Sequence, residues 1–146
     1  MSTNAPVPSA RRIGYVLKQV QHGLRQKMDE TLREVNLTTP QYAILCSIEL
    51  EPKISNAGLA RAAFNTPQTT QEIVANLERA KLVERTPSIM HARILQATLT
   101  KKGSVVLHEA HKLVHEIEHQ LVKDLTEDQQ ESLLSVLTQC AHNIAP

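Results

Sequence analysis

Tryptophan is absent from this chain of 146 residues, and its aromatic side chains are only three, Tyr15, Tyr42 and Phe64. A core with so few rings must be built from Leu, Ile, Val and Ala, which favours helices packed through aliphatic stripes. Only four glycines are present, and none belongs to a glycine-rich phosphate loop or a nucleophile elbow. No run of about 18 apolar residues occurs, and the first ten residues are polar and proline-containing. These absences argue against a membrane span and a secretion signal, and they predict a cytoplasmic protein with no membrane partner. Cysteine is scarce too: Cys46 and Cys140 lie far apart in apolar helical patterns, without the spacing of a metal knuckle or a redox pair. Both read as core thiols in a reducing compartment.

The length suits one domain, or one module with helical extensions. The net charge of +1 conceals a division along the chain. Residues 51–103 hold eight bases (Lys53, Arg61, Arg79, Lys81, Arg85, Arg93, Lys101 and Lys102) against Glu51, Glu72, Glu78 and Glu84, a local charge of +4. Residues 104–146 set Lys112 and Lys123 against seven acids, a local charge of −5. A basic middle between less basic ends is the electrostatic pattern of a polyanion-binding module.

Apolar residues at Ile13, Val16, Leu17, Val20, Leu24, Met28, Leu32 and Val35 recur at steps of three and four, predicting a long amphipathic helix over 9–35. Thr38 or Thr39 before Pro40 caps a second helix, which stops near Pro52. Ser55 caps a short third helix, Asn56 to Ala63. Thr66-Pro67 opens a fourth, which runs to about Ala80, so the third and fourth have helix-turn-helix spacing. Leu82 to Arg85 and Ile94 to Leu99 then read as a two-stranded hairpin with a polar tip. Thr100 caps a fifth helix to about Lys123 with Val106, Ala110, Leu113, Ile117 and Leu121 on its apolar face. Thr126 with Gln129 forms a capping box for a sixth helix.

The fold class expected is mainly α with a small β-hairpin wing. A winged helix-turn-helix lobe occupies 37–103, helical dimerisation segments occupy 11–36 and 104–146, and residues 1–10 form a flexible N-terminus. The terminal helices carry more apolar surface than the lobe can cover, which points to a homodimer.

On a helical wheel the fourth helix turns Thr70, Ile73, Leu77 and Ala80 inward and presents Gln68, Gln71, Glu72, Ala75 and Arg79. Glutamine can bond an adenine edge in two places, threonines such as Thr66 and Thr69 can bond phosphate or touch a thymine methyl, and a small Ala75 allows deep entry into a major groove. Arg93, near the hairpin tip, suits the negative potential of a minor groove. Lys53, Arg61, Lys101 and Lys102 are candidate phosphate contacts. Double-stranded DNA is therefore the expected partner. A winged-helix module that docks protein instead remains the alternative.

Leu37-Thr38-Thr39-Pro40-Gln41-Tyr42-Ala43-Ile44-Leu45, then Gly58-Leu59-Ala60-Arg61, Leu77-Glu78, Leu82-Val83-Glu84-Arg85 and Leu99-Thr100-Lys101-Lys102-Gly103, succeed one another as in the MarR family of bacterial and archaeal regulators, which this chain resembles over about residues 10–145. The resemblance implies a homodimer of winged-helix lobes, with recognition by the fourth helix in the major groove and Arg93 at the minor groove. It also implies a pseudo-palindromic operator. It further implies repression relieved by a small aromatic or phenolic effector, for which Tyr15, Thr39 and Tyr42 are the candidate contacts. Two positions depart from the family pattern. The wing has His91-Ala92-Arg93 where Asp-x-Arg is frequent, and the fourth helix has Glu72 where a base is common.

The fifth helix carries His108, His111, His115 and His119 within about 80° of arc. His111/His115 and His115/His119 have the spacing of chelating pairs, and some members of the resembled family sense zinc with histidines on this helix. A metal-dependent regulator or metalloenzyme using His111, His115 and His119 is thus a further alternative to a solvated polar face. His115-Glu116-Ile117-Glu118-His119 formally matches the His-Glu-x-x-His zinc-protease pattern, but the next turn supplies no third ligand. No enzymatic activity and no required cofactor are expected.

Overall fold

A computed structural model describes Pro8 and residues 11–145. The N-terminus expected to be flexible lies, apart from Pro8, outside the described residues. Helix α1 spans Ile13–Thr31 and tightens into a 3₁₀ turn at Leu32–Val35. There follow α2 (Thr39–Leu50), β1 (Ile54–Ser55), α3 (Asn56–Ala62), α4 (Pro67–Arg79), β2 (Val83–Pro87), β3 (Leu95–Leu99), α5 (Lys101–Leu121) and α6 (Glu127–Ile144).

Each helix from α2 onward starts on a hydroxyl that accepts from the backbone N–H three residues later. The caps are Thr38, Ser55, Thr66, Thr100 and Thr126. Thr38 and Thr126 complete reciprocal capping boxes with Gln41 and Gln129. Three helix ends close without glycine. Asn36, Phe64 and Lys81 adopt left-handed backbone at φ 56°, 54° and 60°. At each, the following N–H returns to a carbonyl five residues back: Leu37 to Leu32, Asn65 to Ala60 and Leu82 to Leu77.

The sheet has three strands in the order β1-β3-β2, all antiparallel. The expected hairpin is its β2-β3 pair, with Val83 opposite Leu99 and Arg85 opposite Ala97. The third strand is only Ile54 and Ser55, paired with Ala97 and Gln96, too short to show an alternating pattern.

One buried cluster joins Ile44, Leu45 and Ile48 of α2, Leu59 of α3, Val74 and Leu77 of α4, Val83 and Ala97 of the sheet, and Leu107, Ala110 and Val114 of α5. Leu32 belongs to it as well, so the core runs continuously across positions 37 and 104. Two inward faces differ from expectation. On α4, Val74 rather than Ala80 completes the stripe with Thr70 and Leu77, because Ala80 stands at the exposed C-cap. On α5 the buried line is Gly103, Leu107, Ala110, Val114 and Ile117. Val106 and Leu113 are only half-buried and Leu121 is exposed, one step round the helix.

The ends of the chain look different. Ile13, Tyr15, Val16, Leu17 and Val20 are exposed on α1, as are Leu133, Leu134, Val136 and Leu137 on α6. Helix α6 buries no residue at all. Cys140, expected in the core, is exposed for that reason, whereas Cys46 is half-buried on α2. No helix among the described residues is long and apolar enough to cross a membrane.

Candidate nucleic-acid interface

The turn between α3 and α4 is Ala63 to Thr66, and it sets α4 on the surface as an amphipathic helix. Thr70 is fully buried and its hydroxyl donates to the Thr66 carbonyl at 2.9 Å, so the inward face is closed. Asn56 ties the starts of the two helices together, its Nδ2 donating to the Pro67 carbonyl at 3.1 Å. Outward stand Gln68, Thr69, Gln71, Glu72, Asn76 and Arg79, all exposed, with Ala75 half-buried among them. Thr66 and Thr69 bond each other through their hydroxyls at 3.0 Å while Thr66 caps the helix. Arg79 bonds the side chain of Asn76 one turn back.

Arg85, on β2, was not among the residues expected at the site. Its side chain is only 12% exposed; it grips the Glu78 carboxylate through Nε at 3.1 Å and Nη2 at 3.3 Å, and Nη1 donates to Oε1 of Gln71 at 2.9 Å. This guanidinium holds the Glu78 carboxyl below its usual range. Gln71 and Glu78 stand two turns apart on one face of α4, and Arg85 joins them because β2 folds back along that helix. Between α3, α4 and the wing lies a cleft of about 310 Å³, whose lining includes Gln71, Val74, Arg85 and Arg93. The structure thus brings the wing arginine to the same cleft as the outward face of α4. The wing loop itself closes on Ser88, whose N–H donates to the Ile94 carbonyl at 2.7 Å and whose hydroxyl accepts from Met90 N–H at 3.2 Å.

The remaining bases divide. Lys53 and Arg61 are exposed, Lys53 in left-handed backbone with its N–H on the Ala97 carbonyl. Lys101 is exposed at the start of α5. Lys102 instead donates Nζ to the Ala80 carbonyl at 3.1 Å, where a cation meets the negative end of α4.

Of the three candidate effector contacts, only Tyr42 lines a groove among the described residues. Tyr15 is exposed on α1, and Thr39 donates its hydroxyl to Asp29, lowering that carboxyl's pKa. Tyr42 lines an open groove of about 440 Å³ with His108, His111, His115 and Glu118. Its hydroxyl donates to Nδ1 of His111 at 2.9 Å, and Nε2 of His111 donates to Glu49 at 2.8 Å. Burial pushes the Tyr42 hydroxyl well above its ordinary pKa, so it stays a donor. Both imidazole nitrogens of His111 are therefore engaged in linking α2 to α5. His115 and His119 are exposed, and among the described residues no three His, Cys, Asp or Glu side chains gather as metal ligands.

A helix-turn-helix whose second helix is held outward beside a β-wing defines a winged-helix nucleic-acid-binding module. The sequence model of the MarR family matches residues 35–94. The repressor Rv2887 of Mycobacterium tuberculosis is 33% identical over 125 residues, covering 86% of this chain and 90% of that one. The crystal structure of Rv2887 with salicylic acid superposes with a TM-score of 0.73 at 31% identity, over 96% and 99% of the two chains. The repressor CouR, bound to a 23-mer DNA duplex, superposes with a TM-score of 0.83 at 28% identity, over 90% and 94%. The chain belongs to the MarR family.

Proposed function

We propose that this protein is a dimeric, ligand-responsive transcriptional repressor of the cytoplasm that binds a pseudo-palindromic site in duplex DNA. The observation that carries the reading is the outward polar face of α4, held rigid by a closed inner face and sharing its cleft with Arg93. In this reading Gln68, Thr69, Gln71 and Glu72 face the major groove, Arg93 enters the adjacent minor groove, and Thr66, Lys53, Arg61 and Arg79 meet phosphates. The exposed apolar faces of α1 and α6 form the two-fold interface. An aromatic effector sits at the Tyr42 groove, which borders both α2 and α5. That position lets a ligand favour one spacing of the two lobes over another. Complexes of the related proteins with salicylic acid and with a duplex support both halves of the proposal.

Selection of bound sequences from random duplexes tests it. An inverted repeat with half-sites about 10 bp apart is expected. Addition of salicylic acid as a probe is expected to weaken that complex, and Tyr42→Ala to blunt the weakening. A selection that enriches no inverted repeat would sink the reading.

A further inference from the structure

The bond from Arg85 to Gln71 limits what the recognition helix can read. Free glutamine presents an acceptor and a donor side by side, which is what matches adenine. A guanidinium carries only donors, so the Gln71 amide must turn Oε1 toward it, and the 2.9 Å contact is of that kind. Arg85 is itself fixed, because both oxygens of Glu78 hold it from two turns of α4 further along than Gln71. Its side chain is nearly buried, so water offers the guanidinium little replacement for Oε1. Charge assistance makes the contact stronger than one between neutral groups. The Nε2 of Gln71 has no hydrogen-bond partner among the described residues, so its hydrogens are the donors left to meet a base. Guanine offers N7 and O6 as a pair of acceptors in the major groove, whereas adenine places a donor beside its N7.

From this clamp we infer that Arg85 is a specificity-positioning residue, orienting Gln71 to read guanine and to discriminate against adenine. The inference rests on the proposed reading of α4 as the recognition helix. Gln68, one turn earlier on the same face, has no such partner among the described residues and keeps both ends of its amide for adenine.

The test is base preference at each operator position for wild type and three full-length variants, measured by competition among duplexes that differ at one pair. Gln71→Ala identifies the pair, as the position where preference collapses. Wild type is expected to favour guanine over adenine there by about fivefold or more. Gln71→Glu keeps an acceptor for Arg85 but removes the donor, and should abolish the guanine preference. Arg85→Met frees Oε1, and should shift the preference toward adenine while other positions keep theirs. If Arg85→Met melts early and cannot be assayed, the wild-type preference and Gln71→Glu decide. An inverted repeat with adenine at this position, or no position responding to Gln71→Ala, overturns the inference while leaving the family reading intact. Failure of wild type to select any sequence would count against the parent reading instead.

Discussion

The lobe built from α2, α3, α4 and the sheet, and the helix α6 that ends the chain, are both rich in aliphatic residues, yet they use them in opposite ways. In the lobe, Ile44, Leu45, Ile48, Leu59 and Leu77 are each no more than 1% exposed. On α6, Leu134 is 70% exposed and nothing is buried. The same amphipathic period therefore has two outcomes: one face is closed within the chain, the other is left exposed. The difference is in the contacts made rather than in the helices themselves, since α6 is capped as well as α2.

Breaking that comparison should give effects of graded size. The largest is expected from Leu133→Glu with Leu137→Glu on α6. Each leucine buried in a dimer contributes about 1.5–3 kcal/mol, so the pair should weaken association by at least about 100-fold. Sedimentation should show monomers that keep their helical circular dichroism, and operator affinity should fall with the dimer. Next comes Leu59→Ala inside the lobe, expected to cost about 2–5 kcal/mol in urea unfolding, because a fully buried side chain leaves a cavity. A third change sharpens the boundary between the regions. A Cβ at Gly103 would fall 2.0 Å from the Leu82 carbonyl oxygen, which is backbone and cannot swing aside. Gly103→Ala should therefore cost about 1–3 kcal/mol by forcing α5 off the lobe.

The smallest effect concerns acid. Arg85 depresses the folded pKa of Glu78 below its ordinary 4.5. The stability this supplies is present above about pH 4.5 and disappears as pH falls through the depressed value. Glu78 is 42% exposed, so solvent screens the pair and the slope should be shallow. Glu78→Gln should flatten it further in thermal melts taken between neutral and acid pH.

Helix starts were legible in the sequence together with their cause, whereas the ends were placed closely without the backbone geometry that makes them. Every start from α2 onward carries a Ser or Thr whose hydroxyl does a defined task, so Thr38, Ser55, Thr66, Thr100 and Thr126 are readable one at a time. The left-handed closures fall at Asn36, Phe64 and Lys81; asparagine is a readable stop signal in place of glycine, whereas a phenylalanine or lysine gives none. At the interface, the outward residues of α4 follow from periodicity alone, as do the inward Thr70 and Leu77. Arg85 does not, because its role arises from contacts to Glu78 and Gln71 across a fold-back that no local pattern records. The His111 bonds to Tyr42 and Glu49 escape notice for the same reason: the three residues are brought together only when α5 lies along α2.

The junction where α4 gives way to α5 leaves almost no slack. Thr100 donates to the Lys81 carbonyl through its hydroxyl at 2.6 Å and to the Leu82 carbonyl through its N–H at 3.1 Å; Lys102 reaches back to Ala80, and Gly103 rests against Leu82. The first turn of α5 is thus riveted to the tail of α4, the helix proposed to read the duplex. A small pivot of α5 under the Tyr42 groove would swing the reading head like the far end of a rigid arm, converting ångström-scale rearrangement among the long helices into a changed grip on the neighbouring groove.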